Sequence, residues 1–342
     1  MPKPWRTRLL SALSHVGVDS RILAPGAALV TRPETHLNVH ELDETTWVVE
    51  QSGPRNELTI EPLDERGWVL QRGPGRRRKV RRIGTPEERT HLVLDERAAR
   101  RDLPHVQMKL FHYMAGEHVA WLVKELGVNC VLDVGANIGL FGQMLRRRGY
   151  RGRIVSFEPL PHLAEKLRER AEGDRDWLVM PYALGDENTE AEMTVVDDQG
   201  TTSSLLPVSD FGKGWSSRLE GIRKETVHIR RLEDVFDEAV ADLAAPRVFL
   251  KLDTQGYDLR AFTGAGARVK DLLGLQSEIS SVPIYDGMPH MTESIAAYEA
   301  AGFSSTGIFP VTRDVRSHQI IEFDVVMARP EAVWSEPAPE QP

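Results

Sequence analysis

The sequence predicts an α/β fold built on a mainly parallel sheet, preceded by a small β-rich region. Three observations carry this expectation. From Cys130 onward, near-continuously apolar runs alternate with stretches of helical period. The first such run ends in a glycine-rich turn that opens straight into a helix: Val131-Leu132-Asp133-Val134-Gly135-Ala136-Asn137-Ile138-Gly139. Before residue 100, short β-branched runs are separated instead by turn chemistry.

In chain order, residues 1–30 read as a short helix and a loop. Segments 47–50, 57–61, 68–70 and 91–94 are rich in Val, Ile, Leu, Thr and Trp. Ser52-Gly53-Pro54, Asp64-Glu65-Arg66-Gly67 and Gly73-Pro74-Gly75 punctuate them, so the region reads as a small antiparallel unit. The basic run 76–82 inside it is either a solvated hairpin arm or a site for a phosphate-bearing partner. Val106, Phe111, Met114, Val119, Leu122, Val123 and Leu126 predict a helix over 104–126, capped by Gly127. Strands follow at 130–134, 153–158, 177–180, 247–253, 272–279 and 320–328, with helices at 138–148 and 162–171. Strands this apolar need both faces covered, and parallel neighbours need helical crossovers. Segment 197–225 breaks the rhythm and reads as a long functional loop with Phe211 and Trp215 exposed. The expected division is an accessory region 1–105, a main α/β domain 106–329 and a disordered tail 330–342.

The 342 residues suffice to bury a core without staples. Cys130 is the single cysteine, so no intrachain disulfide can form, which fits a reducing compartment. A net charge of -8 argues against general affinity for nucleic acid or anionic membrane. The charge is uneven: residues 1–105 carry net +3 and the remainder net -11. No apolar run approaches a transmembrane length, and residues 9–13 are too short for a signal core. A cytoplasmic location is expected. Oligomeric state is left open.

The turn after the first parallel strand decides what kind of ligand is expected. A dinucleotide fingerprint needs G-x-G-x-x-G, but here the glycines are only Gly135 and Gly139, with Asn137 between them. Gly135 permits a tight turn and close ligand approach, and Gly139 permits close packing. Asp133 would repel a pyrophosphate but suit an ammonium group. Glu158, ending the second strand, is placed to accept from both hydroxyls of a ribose. S-adenosylmethionine meets these requirements, having an amino group, a ribose and no phosphate. Another Rossmann-like binder with a glycine-rich turn is the competing reading.

Further motifs recur along the chain: Phe157-Glu158-Pro159, Ala183-Leu184-Gly185-Asp186, Thr202-Ser203-Ser204-Leu205 and Leu232-Glu233-Asp234-Val235. After them come Leu250-Lys251-Leu252-Asp253-Thr254-Gln255-Gly256-Tyr257-Asp258, Gln276-Ser277-Glu278 and Val282-Pro283-Ile284-Tyr285-Asp286-Gly287-Met288-Pro289. With these motifs in this order over about residues 115–328, the chain resembles the FkbM family of S-adenosylmethionine-dependent methyltransferases. The resemblance implies a Rossmann-like class I methyltransferase fold with a seven-stranded sheet. It also implies O-methylation of a hydroxyl on a sugar, glycan, lipid or polyketide-type natural product, and so a small-molecule or glycan partner. Much of the family carries Asp-Val-Glu-Gly where this chain has Asp253-Thr254-Gln255-Gly256, so a role for a second carboxylate at 255 is lost.

An alkyl hydroxyl is a poor nucleophile, so a base or a metal must weaken its proton. Asp253 and Glu278, at the ends of successive strands, are the catalytic candidates; a shared divalent cation is an alternative use of both. By resemblance, Asp133, Gly135, Asn137, Gly139 and Glu158 form the cofactor site, and Ala183 packs against the adenine. Ser203, Ser204 and Tyr285 are substrate candidates. His290 reads as structural before it reads as a base, and Cys130 as core. Two other functions stand against this one. A nucleic-acid methyltransferase is supported only by the 76–82 run. A non-catalytic cofactor-binding scaffold would have no need of Asp253.

Overall fold

The computed structural model describes eight strands between Asp19 and Asp95, and thereafter residues 103–196, 202–216, 219 and 223–333. The chain divides into two compact units, Met1–Val106 and Gln107–Pro342.

In the first unit the strands pair two by two, all antiparallel. β1 (Asp19–Ala24) pairs with β2 (Ala27–Thr31), and β3 (Leu37–Asp43) with β4 (Thr46–Gln51). β5 (Leu58–Asp64) pairs with β6 (Gly67–Arg72), and β7 (Arg78–Ile83) with β8 (Thr90–Asp95). The helix-and-loop reading of residues 1–30 is therefore corrected over 19–31. There the cross-strand partners Arg21–Leu29 and Ile22–Ala28 override a weak local preference. Residues 1–18 lie outside the described residues. Part of the basic run forms β7.

α1 (Leu103–Glu125) ends at Gly127, whose φ of 57° lets Val128 N–H turn back to the carbonyl of Val123 at 3.0 Å. Then come β9 (Cys130–Val134), α2 (Leu140–Arg147), β10 (Arg153–Phe157), α3 (Pro161–Ala171) and β11 (Trp177–Met180). β12 (Ala183–Leu184), β13 (Thr189–Val195), α4 (Asp210–Trp215) and β14 (Arg223–Arg230) follow. α5 (Leu232–Ala239), β15 (Val248–Leu252), α6 (Asp258–Thr263), β16 (Leu272–Ser280) and α7 (Met291–Ala300) lead to β17 (Ser304–Arg313), β18 (Ile320–Ala328) and α8 (Pro330–Val333).

Seven strands form one sheet in the order β11-β10-β9-β15-β16-β18-β17. β18 runs antiparallel to both its neighbours; the other pairs are parallel. This is the Rossmann-like class I methyltransferase architecture expected from the sequence. Alternation along each strand sorts the core into two layers. Leu132, Val134, Leu250 and Leu252 join Val235, Phe236, Phe262 and Tyr298 on one face. Val131, Phe249 and Val326 meet Val119, Leu122, Leu126 and Leu145 of α1 and α2 on the other. Each fully buried Leu or Phe contributes about 1.5–3 kcal/mol. The same alternation sends Asp133 and Lys251, one step on from Val131 and Phe249, to the α1–α2 face.

Segment 197–225 is less of a loop than its composition suggests. Ser209 caps α4 by accepting from Gly212 N–H, and β14 begins at Arg223. Trp215 is partly buried against a cluster containing Leu219, Ile284 and Tyr285, whereas Phe211 is exposed. The small sheet β12-β14-β13 and the edge strand β17 were not anticipated. Pro330–Val333 is helical, and the rest of the expected tail lies outside the described residues. Among the described residues, no helix is long and apolar enough to cross a membrane.

Candidate active site

The strand order reverses between β9 and β15, and ligands of doubly wound sheets bind outside the carboxyl ends at such a switch point. Here the two strand ends touch. Asp253 N–H donates to the Val134 carbonyl at 3.1 Å, and Gly135 follows with φ +72°. A Cβ on Gly135 would sit 1.9 Å from the Asp253 carbonyl oxygen. The glycine is thus demanded by the tight turn and by the neighbouring strand end. Gly139, at φ +80°, faces Leu167 and Trp177, so it serves helix packing.

Between these glycines Asn137 adopts φ 51°, a region Asn tolerates. Its N–H donates to Glu158 Oε2 at 2.8 Å, and Leu160 N–H donates to Glu158 Oε1 at 2.9 Å. Glu158 is 4% exposed. Burial pushes its pKa up to about 7 against the pull of those two N–H groups. A cavity of about 760 Å³ opens over this turn. Gly135, Asn137, Glu158, Ala183, Ser203, Asp253, Glu278 and Tyr285 all line it. Asp133, Gly139 and Ser204 are not among its lining residues.

Asp133 is fully buried on β9 beside Lys251 of β15. Lys251 Nζ lies 3.2 Å from Asp133 Oδ1 and 3.4 Å from Asp253 Oδ2. Ser156 Oγ donates to Asp133 Oδ2 at 3.2 Å. The ammonium expected to meet Asp133 is therefore met within the chain, by Lys251. Burial works against the Lys251 charge, but Asp253 and Asp133 outweigh it and raise its pKa.

Gln255 links the two catalytic candidates. Its amide nitrogen donates to Glu278 Oε2 at 2.8 Å and to Asp253 Oδ1 at 3.3 Å. Tyr285 donates its hydroxyl to the Thr202 carbonyl at 2.8 Å, and the same oxygen lies 3.3 Å from Gln255 Oε1. Ser204 Oγ donates to the Gln255 carbonyl at 2.7 Å. Ser203 Oγ accepts from Val196 N–H at 3.4 Å. Beneath them, buried Asp258 accepts from Thr254 N–H at 2.7 Å, Ser277 Oγ at 2.9 Å and Glu278 N–H at 3.0 Å, tying the Asp253 loop to β16. Burial raises the Glu278 pKa well above the carboxylate range, and Glu322, Asp253 and Asp324 add to it. His290 stands apart as the N-cap of α7 in a capping box with Glu293.

A model of the methyltransferase FkbM domain matches residues 133–304, half of the chain. The chain belongs to the FkbM methyltransferase family. It is accordingly an S-adenosylmethionine-dependent methyltransferase. No curated protein matches its sequence. Among solved structures, this FkbM protein is similar to magnesium protoporphyrin IX methyltransferase from Synechocystis PCC 6803, at 11% identity over 65% of this chain and 82% of that one, TM-score 0.36. It is also similar to an rRNA methylase from Streptococcus thermophilus, at 10% identity, 63% and 94% coverage and TM-score 0.34. A third is fibrillarin from Aeropyrum pernix with bound S-adenosyl-L-methionine, at 10% identity, 58% and 66% coverage and TM-score 0.33.

The residues of this FkbM protein fit the cofactor. Each Glu158 oxygen accepts one backbone N–H and keeps a free lone pair, a set suited to the two hydroxyls of a ribose. Among the described residues no group of three or more His, Cys, Asp or Glu is arranged to hold a metal ion, so Asp253 and Glu278 do not form the cation site considered from the sequence. The sequence reading missed Lys251, Gln276, Glu322 and Asp324, which also line the FkbM cavity. Lys251 stands inside a quoted motif, and its charge within a strand of apolar residues was the available signal. Glu322 and Asp324 on β18 carried no such signal, because alternation alone does not say which face looks into a cavity.

Proposed function

We propose that this methyltransferase transfers the methyl group of S-adenosylmethionine to a hydroxyl of a sugar, glycan, lipid or polyketide-type natural product. One observation carries the reading: Asp253 and Glu278, bridged by Gln255, line the same cavity as Glu158. When bound, the cofactor supplies an activated methyl group. Glu158 accepts from the ribose hydroxyls, Ala183 packs against the adenine, and the 135–137 turn presents backbone to the rest of the cofactor. The protein's remaining task is to hold the acceptor oxygen in line and manage its proton. Asp253, the more exposed carboxylate, orients the hydroxyl and receives its proton. Glu278 assists: its Oε2 accepts from the Gln255 amide at 2.8 Å, which holds that amide against Asp253. A small-molecule or glycan acceptor suits the cavity better than a polyanion, because its wall is acidic.

The test is transfer of a labelled methyl group to a panel of sugars, glycans, lipids, polyketides and RNA. Under this reading at least one hydroxyl acceptor is labelled. Asp253→Asn then lowers turnover about 10²–10⁴-fold with cofactor affinity retained, while Glu158→Ala loses cofactor affinity. Labelling of RNA alone, or unchanged turnover in Asp253→Asn, would overturn it.

A further inference from the structure

β16 and β18 are antiparallel neighbours, with Glu278 opposite Asp324 and Ser280 opposite Glu322. Alternation puts Gln276 and Glu278 on one face of β16, and Glu322 and Asp324 on the same face of β18. All four line the cavity, together with Lys251 of β15 and Asp253 just beyond its end. The wall thus gathers four carboxylates on or next to three adjacent strands. Lys251, the cation among them, lies against Asp133 and Asp253.

A second observation concerns atoms rather than charge. Glu322 Oε1 and Gln276 Oε1 are buried, and no hydrogen-bond donor reaches either. Their residues are only 5% and 7% exposed. A buried acceptor without a donor is costly, so a ligand that brought donors to this wall would relieve that cost. Burial also raises the pKa of both Glu322 and Asp324 to about 7, although Thr312 bonds to Glu322 and Gln276 to Asp324. On the β16–β18 side of the wall three carboxylates, Glu278, Asp324 and Glu322, stand on neighbouring strands, while Lys251 lies against Asp133 and Asp253. A neutral hydroxyl brings one donor and no charge, whereas an ammonium brings three donors and a full charge.

We propose that the acceptor of this methyltransferase is a hydroxyl compound bearing a protonated amine, such as an amino sugar, whose ammonium is held by Glu322, Asp324 and Gln276. The inference rests on the methyl-transfer reading above and names the class of substrate that site takes. The ammonium occupies the β16–β18 side of the wall and leaves the hydroxyl toward Asp253 and Glu278. Glu322 and Asp324 therefore act as specificity residues.

The experiment uses the full chain saturated with S-adenosylhomocysteine at pH 7.5. Binding is measured by calorimetry or ligand-observed NMR for two matched pairs: glucosamine with glucose, and trans-2-aminocyclohexanol with cyclohexanol. The amine of at least one pair should bind at least about tenfold tighter than its neutral partner. Glu322→Gln and Asp324→Asn should each reduce that preference to below about threefold while S-adenosylhomocysteine affinity is unchanged, which shows that the variants fold. Equal binding within both pairs overturns the inference, as does a preference that survives in both variants, or binding of none of the four by the saturated protein. Failure of the wild type to bind S-adenosylhomocysteine is a separate result: it removes the methyl-transfer reading, and this inference with it.

Discussion

The side-chain amide of Gln255 donates to Glu278 at 2.8 Å and lies 3.3 Å from Asp253, so one neutral group fixes both carboxylates. The backbone there is held at φ 53°, and Ser204 and Tyr285 clamp the residue from above. A donor is what this position needs, because two carboxylates this near a third acceptor would repel it. Gln255→Glu should therefore weaken the site although it restores the family's usual residue. Repulsion among three carboxylates raises their pKa values, and a base that must be ionised then works only at higher pH. The acid limb of the pH–rate profile is expected to move up by about one unit. Turnover should fall about tenfold at pH values below that limb and little above it. An unmoved limb would show that Gln255 merely fills space.

Glu322 has a native pKa of about 7 against an ordinary 4.5, with burial as the main cause. Between those values the native state binds more protons than the unfolded one, so stability falls as pH rises from about 4.5 to 7 and levels off above. Glu322→Gln removes that loss, and its NH₂ can occupy the place of the undonated Oε1. The variant should match wild type near pH 4.5 and exceed it at pH 8 by on the order of 2 kcal/mol. In a chain of this size that is several degrees in Tm. Thermal unfolding across this pH range is the measurement. A gain that did not grow with pH would mean that Glu322 is ionised at little cost.

Gly135 and Gly173 share a positive φ but not a neighbourhood. A Cβ at Gly135 would collide with the Asp253 backbone, while at Gly173 it meets nothing within 4 Å. Gly173→Ala should cost about 1 kcal/mol, the backbone penalty alone. Gly135→Ala must also push β15 away from β9, so it should cost more than about 3 kcal/mol and displace Asp253. Urea unfolding of both variants checks this. Equal costs would show that the strand ends yield easily.

Much of the fold was legible because the central strands are buried on both faces. A run such as Val248–Leu252 has few alternatives to an inner strand. The glycine-rich turn was legible for a different reason: its glycines carry positive φ, and few residues replace them there. The edges were harder to read. Ser304–Arg313 contains Gly307 and Pro310 and pairs with β18 through irregular register, so it lacks a clean period. Site chemistry was legible only where it sat in short motifs. Asp253, Gln255 and Asp258 lie within six residues of one another. By contrast, Glu278, Glu322 and Asp324 are joined by an antiparallel register that no local pattern encodes.

Lys251 separates a structural role from a catalytic one. It is buried, with Asp133 at 3.2 Å, Asp253 at 3.4 Å, and the ring of Phe141 centred 5.5 Å away. Its Nζ also lies 3.3 Å from the Gly135 carbonyl, so a single ammonium ties β9, β15 and the glycine-rich turn together. Lys251→Met keeps most of the volume and removes the charge. Asp133 is then a buried carboxylate without its cation, and the loss should be about 3–5 kcal/mol at pH 7. Lowering the pH should recover part of this, because Asp133 can take a proton once its counter-charge is gone. The double variant Lys251→Met with Asp133→Asn should be more stable than Lys251→Met alone, by about 1–3 kcal/mol, since no buried charge is then left unpaired. Urea unfolding at pH 5 and pH 7 gives all three quantities. If the single variant lost less than about 1 kcal/mol and the double variant recovered nothing, Asp133 would be neutral in the native protein. Lys251 would then belong to the acceptor site and not to the scaffold beneath it.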